Sequence, residues 1–337
     1  MSNNAAILGS SSNAISLYKL DTSTKLKVWK EHEGPVSAIL KLSDEEFISG
    51  SWDSTLKSWS RNTKSSLWTS QHLSDAVTSL QQNSDGSLIF AGTHNGEIYV
   101  LCRKTGKILA SRKIDSSRIQ SLIAFNGKIL AFLTNGFFYE IIFEDTEILM
   151  KKSEKIASTI LFSKFSGEKF LISTGDSQIL VFDNNFMILS ILQGDSWFSD
   201  AEILGENIFT LNHLGFLEKW EICDKENSQK IKKIVVSENE IDSAFSAKNL
   251  TEKLNKNLEK LQIYYKILES EKMFKTMSFF MKIDDKFIII CSHDHIIRVL
   301  KLLPNDNFVV DDLDELLDDP EVFEIQQNRL RKMLGYQ

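Results

Sequence analysis

Residues Trp29 to Trp59 read WKEHEGPVSAILKLSDEEFISGSWDSTLKSW. His32 stands two residues before Gly34-Pro35-Val36. An alternating run comes next, then Ser49-Gly50-Ser51, then Asp53, and Trp59 stands six residues after Asp53. The alternation is a strand signal, and the Gly-Pro and Asp-Ser steps punctuate it. A buried polar group is unfavourable unless it is paired. His, Ser, Asp and Trp at this spacing are therefore better explained as one network than singly.

The stretch resembles one blade of a WD40 β-propeller. The resemblance implies a sheet of four antiparallel strands tied by one polar network. It implies that His32 bonds Asp53 of a tight turn, and that one of Ser49 or Ser51 with the indole N–H of Trp59 completes the chain. It also implies a role, since proteins of this kind usually bind other proteins and seldom do chemistry.

One blade cannot bury its own faces, so the pattern must recur at roughly 40–45 residues. With Asp53 as the marker, Asn95 follows in AGTHNGEIYVL, Asn135 in LTNGFFYEII, Asp176 in STGDSQILVFD, Leu214 in LNHLGFLEKW and Asp294 in CSHDHIIRVL. Upstream, Ser12 fits in GSSSNAISLY. The steps are 41, 42, 40, 41, 38 and 80 residues, which makes seven strand pairs. Between the markers, Ile119–Phe125, Lys128–Leu133 and Phe137–Phe143 are short, apolar and rich in β-branched or aromatic residues, with Asn126-Gly127 and Asn135-Gly136 as turns. Only the second repeat keeps the whole polar set. Trp220 retains the strand Trp without the turn Asp, and Leu101, Ile141 and Leu300 replace the Trp elsewhere. The chain begins near the third strand of its first repeat, so that blade's first two strands do not precede it, and Asn307–Val310 is the candidate for a closing strand.

The step of 80 residues interrupts the period. From Glu238 to Glu271 there is no Gly or Pro, and Leu250, Leu254, Leu258, Leu261, Tyr265 and Leu268 recur every three or four residues. This predicts an amphipathic helix inserted in the last blade, capped by Ser246 or Asn249, between a first strand at Ile231–Val236 and a second at Met277–Ile283. Beyond it, Asp311, Asp312, Asp314, Glu315, Asp318 and Asp319 make an acidic run, and Asp319-Pro320-Glu321 reads as a helix start. The expected fold is all-β: a seven-bladed WD40-like propeller over residues 1–310, with a helical insertion at about 238–271 and an acidic, helical C-terminal tail at 311–337.

The chain carries 46 acidic against 39 basic residues, net charge −7, which is no electrostatic footprint for nucleic acid. No apolar run reaches the 18 residues or so of a membrane span. The first residues, MSNNAAI, do not read as a secretory leader. Three Cys (Cys102, Cys223, Cys291), odd in number and far apart, suggest a reducing compartment, cytoplasm or nucleus.

The residue before the turn marker is Trp52, His94, Thr134, Gly175, His213 and His293 in successive repeats, so three of the six His fall on equivalent rim positions. These positions read either as a turn site that tolerates His or as contacts to a partner. His residues on separate blades lie too far apart to share a metal. No zinc-protease, nucleophile-elbow, phosphate-loop or Cys-x-x-Cys motif is present. No catalytic residue, metal, cofactor or small-molecule substrate is expected. The sequence reads as a non-catalytic scaffold that holds protein partners in a multi-subunit complex, without membrane insertion. Trp52, His94, His213 and His293 on the rim and Leu254, Leu258, Leu261 and Tyr265 on the insertion are the candidate contacts. Two other readings stand beside it: a reader of a short modified or histone peptide at the channel mouth, and a WD40-like hydrolase.

Overall fold

The structure is a computed structural model. It describes residues 5–19, 24–166, 168–204, 207–213, 216–221, 229–235, 278–283, 287–292, 297–302 and 308–313. Regular structure among them is strand throughout, in sequential antiparallel sheets.

The first sheet has three strands, β1 (Ala5–Gly9), β2 (Ile15–Lys19) and β3 (Thr24–Trp29). The second holds β4 (Val36–Lys41), β5 (Glu46–Ser51), β6 (Leu56–Ser60) and β7 (Trp68–Thr69). The third holds β8 (Val77–Gln82), β9 (Leu88–Thr93), β10 (Glu97–Cys102) and β11 (Ile108–Lys113). The fourth holds β12 (Ile119–Phe125), β13 (Lys128–Leu133), β14 (Phe138–Glu144) and β15 (Glu147–Lys152). The fifth holds β16 (Ile160–Ser166), β17 (Lys169–Thr174), β18 (Gln178–Phe182) and β19 (Ile188–Gln193). The sixth holds β20 (Phe198–Leu204), β21 (Asn207–Asn212), β22 (Phe216–Glu221) and β23 (Gln229–Val235). The last holds β24 (Ser278–Ile283), β25 (Phe287–Ser292), β26 (Ile297–Leu302) and β27 (Phe308–Leu313).

The chain divides into two compact units. The first four sheets lie mainly in one, over Met1–Ala131 and Phe138–Ser153; the last three lie in the other, which takes in Glu154–Leu313 and the short Phe132–Phe137 stretch.

The expectation of a seven-bladed propeller with a helical insertion in the last blade and a C-terminal helix is corrected. Six sheets are complete four-stranded propeller blades, the first sheet has three strands, and no helix occurs among the described residues. The segments 238–271 and 314–337 lie outside the described residues. Turn markers counted along a sequence locate strand pairs, but they do not say how many further strands join each pair. Two strand assignments change for this reason. The run at Ile231–Val236 was expected to open the last blade, yet β23 pairs with β22, with Lys219 opposite Lys232, and closes the sixth sheet. Asn307–Val310 was the candidate to complete the first sheet, yet β27 pairs with β26, with Leu300 opposite Val310, and reaches Leu313 as the outer strand of the last sheet. Likewise β3 pairs with β2, so Trp29 belongs to the first sheet rather than the second. In each case a strand leaving one hairpin folds straight back on it, the shorter route to satisfying its backbone groups.

Sheets in the first unit interlock by a small motif. Gly9, Gly50 and Gly92 occupy equivalent places on the sheets, and each faces a β-branched residue opening the next sheet. A Cβ built on them would come within 2.6 Å of Val36, 2.4 Å of Val77 and 2.5 Å of Ile119 respectively. Beside two of these contacts a hydroxyl bridges sheets. Ser37 Oγ donates to the carbonyls of Gly50 and Val77, and Thr78 Oγ1 to those of Gly92 and Ile119. Replacing Gly by Ala in ordinary backbone stabilises a protein by ~0.4–1 kcal/mol. Gly92→Ala is expected to do the reverse and cost about 1–3 kcal/mol, measured as a lowered urea midpoint.

Candidate partner-binding rim

The second sheet shows how the turn carrying Trp52 is held. His32 Nδ1 lies 2.7 Å from Asp53 Oδ2, and His32 Nε2 lies 2.7 Å from Ser49 Oγ. The Trp59 indole N–H donates to the same Ser49 Oγ at 2.8 Å. A neutral imidazole protonated on Nδ1 satisfies every bond: it donates to Asp53 and accepts from Ser49, which accepts from Trp59. Between the two candidate serines, Ser49 is the one in the network; Ser51 Oγ instead donates to the Gly34 carbonyl at 2.8 Å.

Asp53 also takes bonds that the sequence reading missed. Thr55 donates from Oγ1 (2.6 Å) and from its backbone N–H (2.9 Å) to Oδ1, and the Glu33 N–H donates to Oδ2 at 3.0 Å. Thr55 lies two residues past the marker, the spacing of a side chain closing its own turn. Burial pushes the Asp53 carboxyl up, but the bonds from His32, Thr55 and Glu33 outweigh it and hold it well below the usual carboxylate range. Its contribution to stability is therefore complete above the unfolded carboxyl's value near ~3.9 and is lost as pH falls toward the folded value. Asp53→Asn is expected to flatten the fall in stability below about pH 4, read as the difference in urea midpoints between variant and parent across pH.

Other sheets keep or drop the network in blocks. The third sheet places Leu73, Ala91 and Leu101 where the second has His32, Ser49 and Trp59. All three are buried in one apolar cluster with Ile48 and Val77. In the sixth sheet, Trp220 donates to Thr210 Oγ1 at 2.8 Å, as Trp59 does to Ser49. Gly194 stands where His32 would, and Phe198 has filled the space. A Cβ on Gly194 would meet the Phe198 ring at 2.5 Å. The Phe198 ring meets Trp220 edge-on at 6.2 Å, as the His32 ring meets Trp59 at 6.2 Å. The combined change His32→Leu, Ser49→Ala, Trp59→Leu is expected to destabilise by about 1–3 kcal/mol less than the sum of the three single changes. Each single change strands a buried partner, so five melting curves, the parent's included, decide the matter.

Four of the rim positions counted from sequence share one backbone hydrogen bond. The backbone N–H of Trp52 donates to Pro35 O (2.9 Å), that of His94 to Ala76 O (2.9 Å), that of Gly175 to Thr159 O (3.1 Å) and that of His213 to Trp197 O (3.0 Å). In the first unit, Trp52 is 47% exposed, and His94 projects into solvent 3.8 Å from Asp75. In the second unit, His213 is half-buried and its ring stacks on Trp197 at 4.7 Å, leaving the Trp197 indole exposed. Trp197 was missed in the sequence; its signal was its place just before a sheet's first strand, in register with Pro35 and Ala76. His293, Leu254, Leu258, Leu261 and Tyr265 lie outside the described residues.

The second unit also ties two sheets by charge. Lys164 Nζ on β16 lies 2.6 Å from Asp200 Oδ1 and 3.3 Å from Glu202 Oε2 on β20. Burial acts to lower the Lys164 ammonium, but the two carboxylates outweigh it and raise it above its usual value. A cavity of about 260 Å³ opens between the third and fourth sheets, against Phe90, Phe125, Asn126 and Ile141. Among the described residues no three His, Cys, Asp or Glu are grouped to hold a metal, and no helix is long and apolar enough to cross a membrane.

Comparison with known proteins agrees with this geometry. The WD domain, G-beta repeat family model matches residues 23–60 and 64–100, from β3 through most of β10. Among solved structures, it is similar to the computationally designed Ika8 protein, at 16% sequence identity and a TM-score of 0.60, over 94% of this chain and 86% of that one. That likeness is one of fold. No curated protein matches the chain.

Proposed function

We propose that the protein is a non-catalytic interaction scaffold that holds a protein partner on the rim carrying Trp52, as a subunit of a larger intracellular complex. The observation that carries this reading is the presentation of Trp52. A half-exposed indole stands on a turn locked by the Ser51, Asp53 and Thr55 bonds. Large aromatic side chains dominate interface energetics, and one held rigid before binding loses little conformational freedom when the partner arrives. His94 lies on the neighbouring sheet in the equivalent position and extends the same surface. The half-buried, free Cys102 suits a reducing compartment.

Trp52→Ala is expected to leave the melting temperature within a degree or so, as surface changes away from buried networks do. It should also cut recovery of stoichiometric partners at least ~10-fold, as loss of an aromatic anchor worth about 1.4 kcal/mol or more requires. Quantitative mass spectrometry of the protein purified from its own cells, parent beside variant, checks this. Equal recovery would remove Trp52 from the interface, and an empty recovery from the parent would remove the scaffold reading itself.

A further inference from the structure

Seven strands form the outer edges of the sheets: β3, β7, β11, β15, β19, β23 and β27. An outer edge presents N–H and C=O groups that another chain can pair with, and proteins guard such edges with charge, proline or brevity. Six of the seven edges are guarded. β3 (TKLKVW), β11 (ILASRK), β15 (EILMKK) and β23 (QKIKKIV) carry Lys or Arg, β27 (FVVDDL) carries Asp, and β7 is two residues long. β19 reads ILSILQ and has none of these devices. Its backbone pairs with β18 on one side. Ser190 and Leu192 turn inward, Leu192 into a buried cluster with Phe198 and Trp220. Ile188 is 51% and Ile191 48% exposed, and Met187 just before them is 65% exposed.

We propose that β19 is a docking edge for an extended, uncharged, apolar-rich segment of a partner protein, which adds to the fifth sheet as another strand. The edge itself selects this chemistry. Its outer backbone groups, which no strand among the described residues pairs, are satisfied by another strand's backbone, and alternate side chains then supply selectivity. No charged side chain along β19 compensates the desolvation of a charged strand laid against it. A second copy of the chain is the less suitable occupant. Two edges of six residues, each about 20 Å long, bury far less than the roughly 1,200–2,000 Å² of a stable association. A linear segment anchored elsewhere on a larger partner needs no such area from this contact alone. The inference rests on the interaction reading above and gives it a second contact, in the other unit.

The test uses the purified full-length chain and a capped hexapeptide of alternating Thr and Val at millimolar concentration, with hydrogen exchange read over residues 188–193. Strand addition is expected to slow exchange of the outward amides about fivefold. The same peptide with Pro at its two central positions should give no slowing. Neither should the chain carrying Ile188→Lys and Ile191→Lys, whose melting temperature should match the parent's because both side chains are exposed. Absent slowing, or equal slowing with the Pro peptide, overturns the proposal. Edge amides already protected in the free chain overturn it in favour of a segment of the chain itself. A concentration-dependent dimer in sedimentation that the double Lys change abolishes overturns it in favour of a second copy. If the parent recovers stoichiometric partners from cells and the double Lys variant recovers the same set, the edge proposal fails while the scaffold reading stands. If the parent recovers none, the scaffold reading fails, and the peptide experiment still decides what the edge can bind.

Discussion

A buried polar group is stable only when it is paired or removed, and the positions of His32, Ser49 and Trp59 follow that constraint in the second, third and sixth sheets. Asp53 is held by His32, Thr55 and the Glu33 backbone, and His32 is tied through Ser49 to Trp59. None of these groups can be lost alone without orphaning another. The third sheet solves the same problem by replacing the whole interior set with Leu73, Ala91 and Leu101. The sixth keeps the Trp220–Thr210 bond and turns Phe198 into the place of an imidazole, which Gly194 leaves open. In these two sheets, what looks in sequence like decay of a motif is the exchange of the His–Ser–Trp set for another packing.

The network has a consequence at the surface. It fixes the turn that carries Trp52, so an apolar anchor is displayed in one orientation. The same backbone hydrogen bond, from the rim residue to the residue opening the sheet, recurs at His94, Gly175 and His213. The scaffold geometry is thus repeated while the displayed side chain varies. Sheet-to-sheet locking is equally local. A glycine accepts Val36, Val77 or Ile119 in the first unit, and a Lys–Asp–Glu cluster joins β16 to β20 in the second.

Much of this was legible along the chain. The period of the turn markers placed one hairpin in every sheet, and the residues of the polar network could be named because their spacing is a property of one repeat. The participation of Thr55 was equally local and could have been read from its position in the turn. Three things were not legible. Which sheet an outer strand joins depends on the path of the chain after a hairpin, so β23 and β27 were placed one sheet out of phase. The number of blades depends on the same pairing: seven were expected, and the described residues form six sheets of four strands and one of three. The register of Trp197 with Pro35 and Ala76 was there to be read, but that its ring stacks on the His213 ring and stays exposed is a tertiary contact.

The sequence by itself determined the class of element, the repeat and the chemistry of the second sheet's interior, because alternation and buried-group pairing act within some forty residues. The tertiary structure decided which strands share a sheet and how six sheets came to be complete. It also decided which aromatic side chains remain exposed, and that β19, which carries no charge or proline, is an outer strand among the described residues. Those outcomes turn on which backbone groups and ring faces are left over once the sheets have packed. That remainder is a property of the assembled sheets rather than of any segment.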